Sequence, residues 1–279
     1  MSPETPWTEQ AGGSAANTAV AVANLGGSVG FIGQVGDDAL GKTFIKSMQD
    51  EQVQCFMSPP AEQSEQTGSC LVVVTPDSQR TMNTYLGIAP FIKADTINQQ
   101  AIEQTKLLYV EGYLWDQAMT KEAIDQAMHY AKSVGVEVAF TLSDPFCVDR
   151  HRREFIDLIE QHVDLVFANE EEAKNLFECD QLEDAITHFR RITNLAVITL
   201  SEKGSMIITP DEVIQINAQE NLKVIDTTGA GDLYAGGFLY GYLTGKTLEQ
   251  CGNIATLCAS EVIQHMGARP ESNLKKVVG

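Results

Sequence analysis

The sequence predicts an α/β fold, with a mostly parallel β-sheet covered by helices on both faces. Apolar runs of strand length alternate with amphipathic helical patterns, such as 116–133 and 149–162, along almost the whole chain. This alternation is typical of parallel sheets. The 279 residues, 43% of them hydrophobic, are ample for a large core. We find no low-complexity linker or internal repeat, so we expect a single domain spanning residues 1–279.

Five apolar runs are predicted to be buried strands because each is short and bounded by polar or turn-forming residues. These runs are 28–35, 106–114, 135–142, 163–170 and 195–200.

One region departs from the alternation of strand and helix patterns. Segments 69–75 and 80–87, separated by a turn at 76–79, are predicted to form an antiparallel hairpin. A hairpin inserted at about residues 67–88 of an α/β chain is suited to be a lid that closes over a substrate. An edge hairpin without a function is the alternative.

Composition disfavours several kinds of partner. Nineteen basic against 38 acidic residues give a formal charge of −19 without a basic cluster, so we expect neither nucleic acid nor a membrane as partner. The six cysteines are scattered, without a CxxC pair or adjacent histidines, which favours free thiols and disfavours a structural zinc site. The longest apolar run, 233–243, is too short to span a bilayer, and we expect a cytoplasmic protein.

The most informative segment is DTTGAGD at 226–232, followed directly by an apolar helical pattern. A Gly-Ala-Gly turn that enters a helix leaves unpaired N–H groups at the positive end of the helix dipole, which suits an anion. Asp232 would repel that anion, so its presence suggests a base that takes a proton from an attacking hydroxyl. From this segment alone, an ordinary glycine-rich turn with Asp232 in the first helical turn is an equal interpretation.

Other polar residues are predicted to lie where strands end or helices begin, which is where parallel sheets bind ligands. Residues 12–14 and Asn17 open a helix and suit either a hydroxyl-bearing ligand or a simple cap. Asn169 and Glu172 suit a helix N-terminus or a water-wrapped magnesium ion. The turn at 199–204 suits a nucleotide or a plain hairpin.

A competing motif lies at 36–43, where GDDALGKT matches the P-loop pattern GxxxxGK[ST]. In a P-loop, Asp37 and Asp38 would place two negative charges against the phosphates. We therefore favour a surface turn with Lys42 in solvent, and keep a P-loop NTPase that uses Gly36–Thr43 as an alternative.

Two long segments resemble the signatures of the PfkB/ribokinase family of carbohydrate and nucleoside kinases. Residues 12–41 are similar to its N-terminal signature and 226–237 to its C-terminal one, and NEEE at 169–172 resembles its NxxE motif. Within the family, segments 66–87, 142–155 and 267–270 look most like the adenosine-kinase branch and its bacterial sugar-kinase relatives.

The resemblance implies a three-layer αβα sandwich with a ribokinase-like sheet and a small β lid. It implies transfer of the ATP γ-phosphate to a primary hydroxyl of a ribonucleoside such as adenosine, or of a sugar. The base would be Asp232, and the anion hole would be the amides of Gly229, Ala230 and Gly231. The acceptor would contact Gly13, Ser14 and Asn17, and Mg²⁺ would be held through water by Asn169 and Glu172. The nucleotide would contact Thr199, Gly204, Asn253 and Gly267, and Asp226 with the loop around Ala268 would correspond to a monovalent cation (K⁺) site of some relatives.

The chain departs from the family at one place. Family members usually begin with a strand carrying GxxxxD, whose Asp grips the acceptor, and then a first lid strand. Residues 1–13 match neither, so we expect the sheet to lack that strand. A non-catalytic nucleoside- or sugar-binding protein of the same fold is therefore an alternative hypothesis.

The acceptor and the oligomeric state, monomer or homodimer, are left open by the sequence. Tyr113, Leu114, Met82 and Tyr85 could sandwich a purine, or equally pack in the core or the lid.

Overall fold

The computed structural model describes residues 8–58, 66–75 and 80–279, so the predicted turn at 76–79 lies outside the described residues. The strands are β1 Gly30–Gln34, β2 Gln54–Ser58, β3 Ser69–Val74, β4 Arg80–Tyr85, β5 Leu107–Glu111, β6 Glu137–Thr141, β7 Leu165–Asn169, β8 Leu195–Thr199, β9 Ser205–Ile208 and β10 Val213–Ile216. The helices are α1 Ser14–Asn24, α2 Ala39–Asp50, α3 Gln99–Glu103, α4 Ala118–Ser133, α5 Pro145–His162, α6 Glu170–Phe177, α7 Leu182–Ile192, α8 Ala230–Leu243, α9 Leu248–Val262 and α10 Leu274–Val277.

The central sheet has six strands in the order β10-β9-β8-β7-β6-β5. Strands β5 to β8 are parallel, and β9 and β10 continue the sheet in antiparallel pairing. The register sets Glu111 opposite Thr141 and Asn169 opposite Thr199. The carboxyl ends of the parallel strands therefore share one edge of the sheet, and the predicted mostly parallel sheet is confirmed.

Helices cover both faces of this sheet because alternate residues of each central strand point to opposite sides. On β8, Ala196 and Ile198 belong to the core that contains Phe140 and Phe155. Leu195 and Val197 belong to the second core, with Phe238 of α8 and Ala255 of α9. Two cores on opposite faces of one sheet make the three-layer sandwich that the resemblance implied.

Strand β1 departs from the prediction. Segment 28–35 was expected to be one of the buried sheet strands, but Gly30–Gln34 pairs in parallel with β2 in a separate two-stranded sheet. Gly30 is exposed and only the last two residues of β1 are buried. An apolar run indicates burial but not the pairing partner, and β2 carries too little apolar pattern to be predicted at all.

The gap between the two sheets is bridged by a helix. In the described ranges no strand pairs with both β1 and β5, and α1 packs against both of them. The absence of the family's N-terminal strand stays a prediction.

The predicted hairpin is confirmed in its described strands. β3 and β4 pair antiparallel, with Val72 opposite Met82 and Ser69 opposite Tyr85. Leu71, Met82 and Tyr85 are each about half exposed on this hairpin. The insertion of a lid into a single domain stays a prediction, because the hairpin is described here in one position only.

Helix α8 is buried at every residue from Leu233 to Leu239, and its glycines permit close packing against two other helices. A Cβ on Gly236 would lie 2.5 Å from the Cβ of Ala21 in α1. A Cβ on Gly237 would lie 2.8 Å from the Cα of Ala255 in α9. These contacts fix the position of α8, and with it the start of that helix at residue 230.

All six cysteines are free, as predicted. Cys147, Cys251 and Cys258 are buried, whereas Cys70 on the hairpin is exposed. None of the helices in the described residues is both long and apolar enough to cross a bilayer.

We predict that Gly237→Ala destabilises the fold by about 1–3 kcal/mol, because the added methyl meets the backbone of α9, which cannot move independently. This cost outweighs the roughly 1 kcal/mol that alanine gains over glycine in a helix. Urea unfolding measures the difference. Gly12→Ala is the control, because a Cβ there has nothing within 4 Å. Equal stability of the two variants would contradict the close-packing argument.

Candidate active site

The carboxylate of Asp232 is fixed by the first turn of a distant helix. Ser14 Oγ donates to Asp232 Oδ1 at 2.8 Å, and Asn17 Nδ2 donates to Oδ2 at 2.8 Å. Asn17 is 3% exposed. The structure therefore brings together Asp232, Ser14 and Asn17, and it places the N-termini of α1 and α8 beside each other.

The turn before α8 can be built only with glycine at its key position. Gly229 precedes α8 with φ 80°, in the left-handed region. A Cβ on it would also lie 2.7 Å from Ala268 O. Ala230 N–H donates to Thr227 O at 3.3 Å, so this amide already has a partner in the turn. Gly231 is exposed with nothing within 4 Å of a Cβ position, which leaves space for a ligand at the positive end of the helix.

Asp226 ties the glycine-rich turn to the loop at Gly267. Its Oδ1 accepts from Thr228 N at 2.9 Å and Thr228 Oγ1 at 2.6 Å, and its Oδ2 accepts from Gly267 N at 2.9 Å. Asp226 is 2% exposed. These contacts explain a buried carboxylate at this position, and its predicted role in binding a monovalent cation stays a prediction.

Arg269 is a site residue to which the sequence reasoning assigned no role. Its Nε donates to Asn17 Oδ1 at 3.4 Å and its Nη1 to Ser47 Oγ at 2.8 Å. Burial lowers the pKa of the guanidinium from its ordinary value. By engaging the amide oxygen, Arg269 orients the Asn17 amide so that its nitrogen faces Asp232.

Glu111, at the carboxyl end of β5, is a second residue that the sequence reasoning missed. Burial raises its pKa to about 7; the neighbouring Asp232 also raises the pKa, while the hydroxyl of Ser14 and the backbone of Ala15 lower it. Its Oε1 is inaccessible to solvent and has no hydrogen-bond partner among the described residues. The site therefore holds two neighbouring acids, Asp232 and Glu111, with Ser14 close to both.

Asn169 and Glu172 form a capping box at the start of α6. Asn169 Oδ1 accepts from Glu172 N at 2.8 Å, and Glu172 Oε2 accepts from Asn169 N at 2.9 Å. Burial, helped by the charge of Asp144, raises the pKa of Glu172 to about 7, although the backbone N–H of Asn169 acts to lower it. A buried oxygen donor set with a raised pKa fits a hard cation such as Mg²⁺, and contact through water fits best because both Glu172 oxygens already accept from Asn169.

The predicted nucleotide-binding residues divide into two groups. Thr199 and Gly267 line the cleft that contains Asp232, whereas Gly204 and Asn253 do not. Gly204 has φ 91°, and a Cβ on it would lie 1.9 Å from Ile216 O, so the turn itself explains this glycine. Nucleotide binding by these residues stays a prediction.

The four side chains considered for a purine, Tyr113, Leu114, Met82 and Tyr85, all line the same cleft. Tyr113 is 42% exposed and its hydroxyl donates to Ser143 O at 3.1 Å.

The P-loop hypothesis is contradicted by the structure. Asp38 caps the N-terminus of α2, accepting from Gly41 N at 2.8 Å and Thr67 N at 2.8 Å. The backbone N–H groups of Thr67 and Gly41 lower the pKa of Asp38. Lys42 pairs with Asp37 in solvent at 2.9 Å, with 72% of its side chain exposed. An aspartate therefore occupies the place that a phosphate would need.

A glycine-rich helix N-terminus beside an aspartate, at the carboxyl edge of a parallel sheet, is the arrangement of a phosphoryl-transferring α/β enzyme. The family described as pfkB family carbohydrate kinase matches residues 3–275. The chain belongs to this family.

The chain is similar in sequence and structure to known kinases. The chain is 41% identical to adenosine kinase from Sinorhizobium meliloti, with a TM-score of 0.94, covering 97% of this chain and 83% of that one. It is 29% identical to a 5-dehydro-2-deoxygluconokinase from Lacticaseibacillus casei, over 92% of this chain and 81% of the relative. A fructokinase from Vibrio cholerae O395 with bound fructose, ADP and calcium shares the fold at 24% identity, with a TM-score of 0.82, covering 100% of this chain and 94% of that one.

We predict that Glu111→Gln changes how stability depends on pH. The ordinary pKa of 4.5 rises to about 7 in the folded chain, so between these values the folded chain keeps a proton that the unfolded chain has released. The unfolding free energy of the wild type therefore falls as pH rises through this window. Glu111→Gln removes that loss and should gain about 1–3 kcal/mol on the wild type between about pH 5 and pH 8. Urea unfolding across this range measures it, and parallel curves for the two proteins would show that Glu111 is not buried as described.

Proposed function

We propose that the chain is an ATP- and Mg²⁺-dependent kinase that transfers the γ-phosphate to a primary hydroxyl of a ribonucleoside such as adenosine. PfkB kinases are phosphotransferases with hydroxyl acceptors, and they use ATP with Mg²⁺. The observation that carries the proposal is the position of the Asp232 carboxylate. Asp232 lies in the first turn of α8, and its carboxylate accepts hydrogen bonds from Ser14 and Asn17 of α1.

Asp232 is the general base of this proposal. Each of its oxygens accepts one of the two hydrogen bonds from α1, so the carboxylate is held in one orientation at the N-terminus of α8. Asp232 in turn raises the pKa of the neighbouring Glu111, so the base lies close to a second acid in the cleft.

The transferred phosphoryl group would be stabilised by the N-terminus of α8. Gly231 leaves the approach to the backbone open, and the helix dipole is positive there. Asn169 and Glu172 would hold Mg²⁺ through water, and the ion would neutralise charge on the phosphates. The hairpin of β3 and β4, which lines the same cleft, would exclude water when closed so that ATP is not hydrolysed.

A purine nucleoside is the acceptor that the site supports best. Tyr113 and Phe146 both line the cleft, with 42% and 73% of their surfaces exposed, so an aromatic face is available for a base to stack on. The 41% identity to an adenosine kinase supports the same choice, and the 42% identity to a probable sugar kinase from Rhizobium etli keeps a sugar as the alternative acceptor.

We predict that Asp232→Asn lowers kcat by about 10²–10⁴-fold, because the amide cannot take the hydroxyl proton. ATP binding, measured by calorimetry, should stay within about threefold of the wild type. Asp37→Asn is the matched control, since Asp37 also lies near a helix N-terminus but 76% of its side chain is exposed. Lys42→Ala should likewise leave the rate nearly unchanged. A near-normal rate for Asp232→Asn would exclude this residue as the base.

The acceptor is tested by measuring ADP release with adenosine, guanosine, inosine, ribose and fructose. We expect the highest kcat/KM with adenosine, and Tyr113→Ala should raise the KM for the nucleoside while changing the KM for ATP little. Preference for a free sugar would overturn the nucleoside assignment but not the kinase. Ligand-dependent thermal stabilisation without ADP from any of the five would instead favour a non-catalytic binding protein.

A further inference from the structure

Three metal-ligating side chains meet on the helical surface, outside the cleft of Asp232. Asp125 and His129 belong to α4, and His162 is the last residue of α5. One ligand atom from each of the three lies within 4.8 Å of the other two. His162 shortly precedes the amino end of β7 at Leu165, whereas the residues of the active site lie at the carboxyl ends of the strands.

The two α4 residues are four positions apart, so they lie on the same face of the helix. His129 Nδ1 is 2.9 Å from Asp125 O and 3.5 Å from Asp125 Oδ1. The ring of His162 lies against that of His129, with centroids 4.1 Å apart and planes inclined by 54°. The His129 ring is thus held between the carboxylate of its own helix and the imidazole of the next helix.

We propose that Asp125, His129 and His162 form a binding site for a divalent transition-metal ion of the Zn²⁺ type. Two imidazoles and one carboxylate are the ligand set that such ions take in proteins, with water in the remaining position. Mg²⁺ is disfavoured because it prefers an all-oxygen octahedron. The site does not depend on the kinase function.

The geometry needs only small side-chain movements to accept an ion. Bonds of about 2.0–2.1 Å to a tetrahedral metal place the ligand atoms roughly 3.3 Å apart, so each must move inward by about 1 Å. The side chains of His129 and Asp125 are 56% and 50% exposed, so a movement of this size is directed into solvent and not into packed atoms.

The surrounding charges permit a cation. Lys132 is the positive charge that faces His162, and it is neutralised by Asp164 at 2.7 Å. A bound ion would link α4 to the end of α5 at a distance from the catalytic cleft.

The test is calorimetric titration of the chelator-treated, dialysed full chain with Zn²⁺, in buffer containing excess Mg²⁺ to occupy all-oxygen sites. We expect one saturable site, and a loss of affinity of about tenfold or more for His129→Gln and for His162→Gln. The control is His188→Gln, an exposed histidine that stacks on Phe177 at 4.8 Å and should bind Zn²⁺ like the wild type.

Two further measurements distinguish the other outcomes. The spectrum of the Co²⁺-loaded protein should lack a thiolate-to-metal charge-transfer band; such a band would assign the site to cysteine and overturn the proposal. Zn²⁺ should raise the Tm of the wild type by about 5 °C and that of either histidine variant by much less. Zn²⁺ affinity unchanged by both substitutions, or no stoichiometric binding to the wild type, would also overturn it.

Discussion

The contact on which the site depends joins Asp232 to Ser14 and Asn17, across 218 and 215 residues of sequence. Neither helix could hold the carboxylate alone, because α1 supplies the two donors and α8 supplies the acceptor. The contact requires α1 and α8 to approach closely, which the bare backbone at Gly236 allows. The close packing of these two helices therefore also sets the position of the Asp232 carboxylate.

The cleft also contains two buried acids whose charge cannot be read from the sequence pattern. Glu111 and Glu172 both have a pKa of about 7, so near neutrality each is partly protonated. An anionic nucleotide meets less repulsion than the number of carboxyl groups would suggest. The same burial that makes these acids costly to ionise makes a bound cation favourable there.

The sequence predicted an element correctly where its local residue pattern reflects how deeply the element is buried. Strands β7 and β8 were predicted because both faces are buried, which produces continuous apolar runs. Strand β2 was missed because it lies in a small sheet and begins and ends with polar residues, Gln54 and Ser58. The separation of β1 from the central sheet could not be predicted, since pairing partners depend on distant segments.

The same limit applies to the site. The glycine-rich turn and Asp232 were found because their order along the chain carries the signal. Ser14 and Asn17 were also found, but as contacts of the acceptor; their hydrogen bonds to Asp232 required the fold. Glu111 was hidden within an apolar strand pattern, and Arg269 within a short loop motif. His129 and His162 lie on different helices, and no spacing rule relates them.

One exposed sulfur makes the hairpin experimentally accessible. Among the six thiols, Cys70 alone is exposed, and it lies on β3 with its sulfur 3.2 Å from Thr84 Oγ1 of β4. A maleimide fluorophore would therefore react first at this strand without any engineered cysteine. Its emission would report movement of the hairpin in real time while nucleotides are added, and would give the rate of that movement.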